Sequence, residues 1–586
     1  MSGTITLLGG PTPTSPNGVA GLLFECAPDS AIKRAFPGAN SLPELIGDFD
    51  SIKQRAFAHA HKLLEKEPPL RGLRQLGVFY ELVIRELQHI LHAKTLHDRL
   101  VAGGISTCVF GQASRLAKDL QWFSQRLGSA ITVTTPEAAG DAAASGMHRS
   151  WQRLRLAGFE KSALASEWRQ VLDRVDPFHR RACFTRSLPR RRNAIWFYST
   201  AYTFTRIGLL YEPYFPEPFE YLAENPQTGG QPLKSSGRPF ASPYEFASCD
   251  MAPSDQEIAE ARASIRMHLQ SVQLSPDEAV VRDAYLASPG FATFMQRLLP
   301  RGLFQTRLFA RFVDAAAPAA LVVGNPVFEG YALHAARMAG IPTLLLQHGI
   351  LGDYCQFVDP PADHYLVRGK FWREFLAPRA RERSLVLNPP EPARAAESVQ
   401  GPRRTALFLT APYGQQAFWN ESDLNDILLA LLEACREARA DLVIRVHPME
   451  QIGAYESVMQ RLTRQSGAEV NVSYSQGAGL DDLLGRSAVA VTFSSTAFLD
   501  CLRHRVPIVS FGWHDFSYKR QISEYGVFHF CESLAELRQL VRRAVQGELP
   551  AYESATTPFL AKTSEAELKE QIRHLLGSQT AAAQHE

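Results

Sequence analysis

At 586 residues the chain is too long for a single hydrophobic core, so two or three domains are expected. With 45% apolar and 21% charged residues it falls in the ordinary globular class, which excludes a disordered or fibrous protein. A net charge of +2 provides no global basic field, so nucleic acid is not an expected partner.

The eight cysteines are scattered without a CxxC pair, which argues against a disulfide framework and against a zinc site. Cys26, Cys108, Cys435 and Cys501 lie in or beside apolar segments and read as small core residues. The opening MSGTITLLGG lacks the basic and apolar regions of a secretion signal. No apolar run reaches the roughly 18–20 residues of a membrane span. A cytoplasmic location follows as the expectation, extending to the inner face of a membrane.

In chain order, residues 1–50 begin with a short strand, Thr4–Leu8, and a turn-rich loop, GGPTPTSPNG. Residues 51–102 carry helical patterning. Strands Ser106–Phe110 and Ala130–Thr134 flank a helix over Ala113–Arg126, making one strand–helix–strand unit. Residues 136–190 are polar and helical, closing on the basic run His179–Arg192. Such a run is most often a solvated face, with an anionic acceptor or phospholipid surface as its functional alternative. Residues 1–190 are therefore taken as a partly helical α/β extension.

A strand over Ala194–Ser199 opens the next domain, 191–390. The Pro-, Gly- and Ser-rich stretch 211–253 reads as a long irregular excursion, and 254–318 as helical. Regular alternation follows, with strands Ala320–Gly324, Pro342–Gln347 and His364–Val367 among helices. The segment 388–404 has the Pro/Ala/Arg-rich look of a linker. A second series, 400–550, brings strands at Thr405–Leu409, Leu442–Val446, Glu469–Tyr474, Ala488–Phe493, Pro507–Phe511 and Val527–Phe530, separated by helices. Residues 551–586 form a helix and tail. Strands alternating with ten-to-fifteen-residue helices predict two doubly wound, Rossmann-like parallel domains facing each other across a cleft.

Three constellations carry chemistry. In RVHP, an apolar strand delivers Arg445 and His447 to its carboxyl end and Pro448 stops the ladder. Ligands of open α/β sheets sit beyond such ends, and guanidinium and imidazole groups there suit a phosphate. Taken alone, the pair is better explained by a loop-holding histidine and a surface ion pair; joined to the hydroxyl triplet that follows, the phosphate reading is the stronger. In Ser494-Ser495-Thr496, three hydroxyls precede a helix, where they either cap it or cradle a phosphate. In LLLQHG, a buried strand ends in Gln347, His348 and Gly349. His348 is expected to face an acceptor hydroxyl, with Gly349 permitting close approach. Glu329, at the start of the preceding helix, takes part in catalysis by orienting His348, binds the acceptor, or simply complements the helix dipole. Asn325 lies at the end of the strand before it and is grouped with Gln347 and Gly349 as acceptor-binding. Trp513, after VPIVSFG, either flanks a nucleobase or packs. No acidic pair in a strand-end context calls for a metal, and no cofactor is expected.

The order QHG, RVHP, then a Ser-rich turn leading into AFLDCLRHRVPIVSFG resembles GT-B glycosyltransferases of bacterial surface-glycan biosynthesis. The look-alikes are capsule enzymes of the polysialyltransferase and Kdo-transferase kinds, related to CDP-glycerol glycerophosphotransferases; the resemblance spans roughly 318–547. It implies a metal-independent transfer of a sugar, a CMP-activated acidic sugar or another nucleotide sugar, to a glycan, lipid-linked or protein acceptor. It maps the donor phosphate onto His447, Ser494 and Ser495, and acceptor activation onto His348. The acidic general-base motif of the polysialyltransferases is missing. Alternatives are a CDP-polyol phosphotransferase, a UDP-sugar epimerase-like enzyme and a non-catalytic GT-B scaffold.

Overall fold

The computed structural model describes residues 3–8, 20–23, 49–67, 69, 80–110, 115–134, 193–200, 202–217, 219–224, 230–247, 251–325, 329–347, 362–374, 384–386, 403–410, 421–447, 450–467, 469–477, 479–493, 497–511, 528–550 and 563–582. The chain divides into two compact units. One comprises Met1–Ala56, Leu87–Glu167 and Arg394–Thr556; the other comprises Phe57–Glu86, Trp168–Ala393 and Thr557–Glu586. Among the described residues no helix is long and apolar enough to cross a membrane.

The first unit holds two sheets. Its N-terminal sheet joins β1 (Gly3–Leu8), β2 (Ala20–Leu23), β3 (Ile105–Phe110) and β4 (Thr132–Thr134) in the order β2-β1-β3-β4, all parallel. Between β3 and β4 runs helix α1 (Arg115–Leu127), whose Ala117, Leu120, Phe123 and Ser124 turn inward at helical spacing.

The second unit is built on a seven-stranded parallel sheet. Its strands are β5 (Ile195–Ser199), β6 (Glu220–Ala223), β7 (Phe240–Ala241), β8 (Ala320–Val323), β9 (Thr343–Leu346), β10 (His364–Val367) and β11 (Ser384–Val386). The order is β11-β10-β9-β8-β5-β6-β7. The expected irregular excursion over 211–253 is thus corrected, because it contributes β6 and β7 to the sheet edge. Strands of four and two residues are too short to display a hydrophobic period, and the Pro and Gly around them hid them. The helical stretch expected over 254–318 is present, its main members being α2 (Asp255–Ser271), α3 (Pro276–Ala287) and α4 (Leu299–Ala316). Helices α2 and α3 each start in a capping box, Ser254 with Glu257 and Ser275 with Glu278. Helix α5 (Gly330–Met338) links β8 to β9.

The six-stranded sheet of the first unit comprises β12 (Thr405–Leu409), β13 (Asp441–Arg445), β14 (Val472–Ser475), β15 (Ser487–Thr492), β16 (Ile508–Phe511) and β17 (His529–Cys531). All pairs are parallel, in the order β14-β13-β12-β15-β16-β17. Every residue of β12, β15 and β16 is buried, the mark of a parallel sheet covered on both faces. One face packs Phe408, Ile444, Val491 and Phe511 against Leu428 and Leu431 of α6 (Glu421–Ala438), Val458 of α7 (Ile452–Ser466) and Leu537 and Val541 of α8 (Leu534–Val545).

Counted from its first strand, this order is 3-2-1-4-5-6, the doubly wound winding. The seven-stranded sheet repeats it with one further strand. Each sheet therefore has one switch point where the winding reverses, between β12 and β15 and between β5 and β8. The last helix, α9 (Glu565–Ala582), belongs to the second unit, where Leu568 and Ile572 are fully buried with Phe197, Val322 and Leu346 of the seven-stranded sheet.

Candidate functional site

The switch point of the six-stranded sheet lies where β12 ends in Leu409, followed by Thr410, and β15 ends in Thr492; Leu409 and Thr492 are register partners. On the next strand outward, β13 ends in Arg445 and its continuation carries His447. Thr410 ties these ends together. Its hydroxyl accepts the His447 N–H at 2.8 Å and donates to Glu450 Oε2 at 2.5 Å, while the Thr410 N–H donates to the Arg445 carbonyl. Tyr455 donates to the other oxygen of Glu450 at 2.9 Å. Gln476 Nε2 donates to the carbonyls of His447 and Glu450, each at 2.9 Å, and the Glu450 N–H closes the turn onto the His447 carbonyl. The backbone that presents His447 is thus held from three sides. Burial lowers the imidazole pKa below its usual 6.5, so at neutral pH His447 is an uncharged hydrogen-bonding group.

Arg445 closes β13 and reaches the loop that follows β14. Its guanidinium donates to Ser475 Oγ at 2.6 Å and to the Gly477 carbonyl, so it braces the loop beyond β14 at the outer side of the sheet. Thr492 is 1% exposed and its hydroxyl has no hydrogen-bond partner among the described residues, an unusual state for a buried polar atom. Pro448, Ser494, Ser495, Thr496 and Trp513 lie outside the described residues.

In the seven-stranded sheet the structure brings Asn325 and Glu329 together with a residue that the sequence did not single out, Thr200. Glu329 is fully buried. Its Oε1 accepts the Thr200 N–H at 2.8 Å and the Thr200 hydroxyl at 3.2 Å; its Oε2 accepts the N–H groups of Gly324 and Asn325, both at 2.8 Å. Thr200 follows β5 and Gly324 follows β8, so one carboxyl group staples both sides of the switch point. Burial raises its pKa to about 8, against the downward pull of these hydrogen bonds. Both carboxyl oxygens of Glu329 thus accept from groups at the two strand ends. Gln347 is also committed: its Oε1 accepts the Arg368 N–H at 2.7 Å and its own N–H donates to the Leu366 carbonyl at 2.9 Å, joining the ends of β9 and β10. His348 and Gly349 lie outside the described residues.

Glu450 stood in view two residues beyond the HP pair, but a glutamate in a loop carries no signal by itself. Thr410 and Thr200 are single hydroxyls at strand ends; only their distant partners give them meaning.

Residues 415–520 match the family model described as capsule polysaccharide biosynthesis protein. This segment contains His447 and Thr492 and begins just after Thr410. No curated protein matches the chain. Among solved structures, a UDP-GlcNAc 2-epimerase from Neisseria meningitidis bound to UDP-GlcNAc aligns at 10% identity over 66% of this chain and 99% of that one, with a TM-score of 0.40. The Methanocaldococcus jannaschii UDP-GlcNAc 2-epimerase in complex with UDP-GlcNAc and UDP aligns at 10% identity over 66% and 100%, with a TM-score of 0.42. The lipopolysaccharide outer core galactosyltransferase WaaB in its apo form aligns at 13% identity over 67% and 99%, with a TM-score of 0.36. The stretch similar to capsule polysaccharide biosynthesis proteins contains β13, β14, β15 and β16, and so the β15 side of the six-stranded sheet's switch point.

Proposed function

We propose that the protein is a glycosyltransferase of surface-polysaccharide biosynthesis, with the nucleotide-sugar donor held at the carboxyl ends of β12, β13 and β15. The observation that carries this reading is the coincidence of the capsule-biosynthesis match with a doubly wound switch point whose strand ends present His447 on a braced loop. Nucleotides bind in the crevice outside such strand ends. The neutral His447 imidazole would donate a hydrogen bond to a donor phosphate, to which the sequence pattern also assigns the hydroxyls of Ser494, Ser495 and Thr496. Stabilising the charge that develops on a departing nucleotide phosphate is the largest single contribution such a site makes. His348 would face the acceptor hydroxyl, and a CMP-activated acidic sugar is the donor that the sequence resemblance favours.

A thermal-shift and calorimetric screen over CMP, CDP, UDP and GDP tests the reading, since a ligand bound only to the native state raises its stability by mass action. One nucleotide should stand out, and His447→Ala should weaken it about tenfold or more, as loss of a phosphate hydrogen bond requires. A His447→Ala protein with unchanged nucleotide affinity would remove the donor-site assignment.

A further inference from the structure

The turn that presents His447 is held a second time, from the edge of the sheet. Strands β13 and β14 pair so that Arg445 lies opposite Ser475, and the Val446 N–H donates to the Ser475 carbonyl at 2.8 Å. Beyond that rung, side chains join the two strand ends in both directions. From β13, the Arg445 guanidinium donates to Ser475 Oγ at 2.6 Å and to the Gly477 carbonyl. From the loop after β14, Gln476 Nε2 donates back to the carbonyls of His447 and Glu450, each at 2.9 Å. Arg445 thus holds the residues on either side of Gln476, and Gln476 holds both ends of the turn that His447 opens. Gly477, at φ 85°, lets the chain turn away directly behind Gln476, a conformation that costs other residues free energy.

Two features separate this interlock from ordinary packing. Gln476 is exposed, so water would satisfy the two carbonyls in its place, and the bonds add little to the stability of the fold. The amide also spends its donor nitrogen twice on one turn, which the Glu450 N–H already closes onto the His447 carbonyl. The effect of these bonds is therefore on geometry. They fix the His447 carbonyl, and with it the backbone from which the imidazole projects. A carboxylate of the same shape has no hydrogen to donate at neutral pH and would stand against two carbonyl oxygens.

We propose that Gln476 is a positioning residue for His447, with Arg445 holding the loop from which it acts. That the group His447 meets is a nucleotide phosphate rests on the function proposed above; the coupling of Gln476 to the His447 side chain does not.

The test uses the full chain and has two arms. The first needs no ligand: histidine-selective NMR follows the titration of His447, whose signal is identified by its loss in His447→Ala. Burial holds this imidazole below 6.5 in the native protein. Gln476→Ala adds no charge and leaves Glu450 and Arg445 in place, so an unbraced turn that lets the ring reach water should move the midpoint up towards 6.5. The second arm is a double-mutant cycle, read by calorimetry with the nucleotide found in the screen. Gln476→Glu should weaken that nucleotide about tenfold when His447 is present and less than twofold in the His447→Ala background, with the melting temperature nearly unchanged. A residue that served only the fold would cost the same affinity in both backgrounds.

An unmoved His447 titration in Gln476→Ala overturns the proposal. So does unchanged nucleotide affinity in Gln476→Glu, or an equal loss with and without His447. Should no nucleotide bind the native protein, the donor-site reading fails, and the titration by itself decides the positioning role.

Discussion

The two switch points share a winding order and differ in how their strand ends are held. In the seven-stranded sheet the tie is ionisable and fully buried: Glu329 collects two N–H groups from the end of β8, and an N–H and a hydroxyl from beyond β5. In the six-stranded sheet the tie is a hydroxyl relay: Thr410 stands between the His447 N–H and Glu450, and Glu450 is steadied by Tyr455. The first arrangement fixes backbone to backbone, and losing its one central group strands several buried donors. The second fixes a single turn that presents a side chain, through groups in partly buried surroundings. Cutting the first should therefore register mainly as lost stability, and cutting the second mainly as altered ligand binding. The same winding thus supports a backbone staple in one sheet and a braced side-chain presenter in the other.

The largest expected effect is that of Glu329→Ala. It leaves three backbone N–H groups and the Thr200 hydroxyl without their acceptor, and each stranded buried group costs about 1–3 kcal/mol. A net loss of about 3–5 kcal/mol, after local relaxation, is expected for the second unit by denaturant unfolding. Unchanged unfolding would mean that the staple is ornamental and the contrast false.

Next comes Gly324→Ala, at the same loop. A methyl group there would lie 2.8 Å from Phe204 Cβ, closer than atoms pack, so overpacking of about 1–3 kcal/mol is expected. Neither change should alter nucleotide affinity.

Thr410→Val addresses the other sheet. It keeps the shape and removes the hydroxyl that both accepts from His447 and donates to Glu450. Nucleotide affinity should fall several-fold to tenfold with a stability loss of about 1–2 kcal/mol, and Thr410→Ser should restore both. A stability loss without any change in binding would make the relay as purely structural as the Glu329 staple.

The smallest effect concerns pH. The folded-state pKa of His447 is depressed below 6.5, so the unfolded chain binds more protons between the folded value and 6.5. The contribution is present in full above pH 6.5 and is lost as pH falls through the folded pKa. The melting temperature of the native protein should drop on acidification through that window, and His447→Asn should remove part of the drop. A steeper drop in the variant would reverse the sign argued here.

Much of the six-stranded sheet was legible in advance, because its strands are runs of apolar residues between helices of readable period. LVIR, AVAVT and PIVSF needed nothing beyond alternation and punctuation. The short outer strands β6, β7 and β11 were not legible; at two to four residues they form only because a neighbour offers them a ladder. In the site, the RVHP pattern correctly located the strand end and the His447 turn. It did not name the partners of Arg445, whose guanidinium donates to Ser475 and Gly477. A pattern of residues states which strand end a side chain reaches, not which of its neighbours it will choose.

The sequence by itself determined the local periods, the parallel α/β class that follows from them, and the chemistry available at each strand end. Tertiary structure decided which ends meet. Glu329 finds Thr200 across 129 positions, and Thr410 finds Glu450 across 40. The physical reason is that hydrogen bonds between strand ends depend on the order in which strands lie side by side. That order is set by burying both faces of each sheet at once, and no local stretch of the chain encodes it alone.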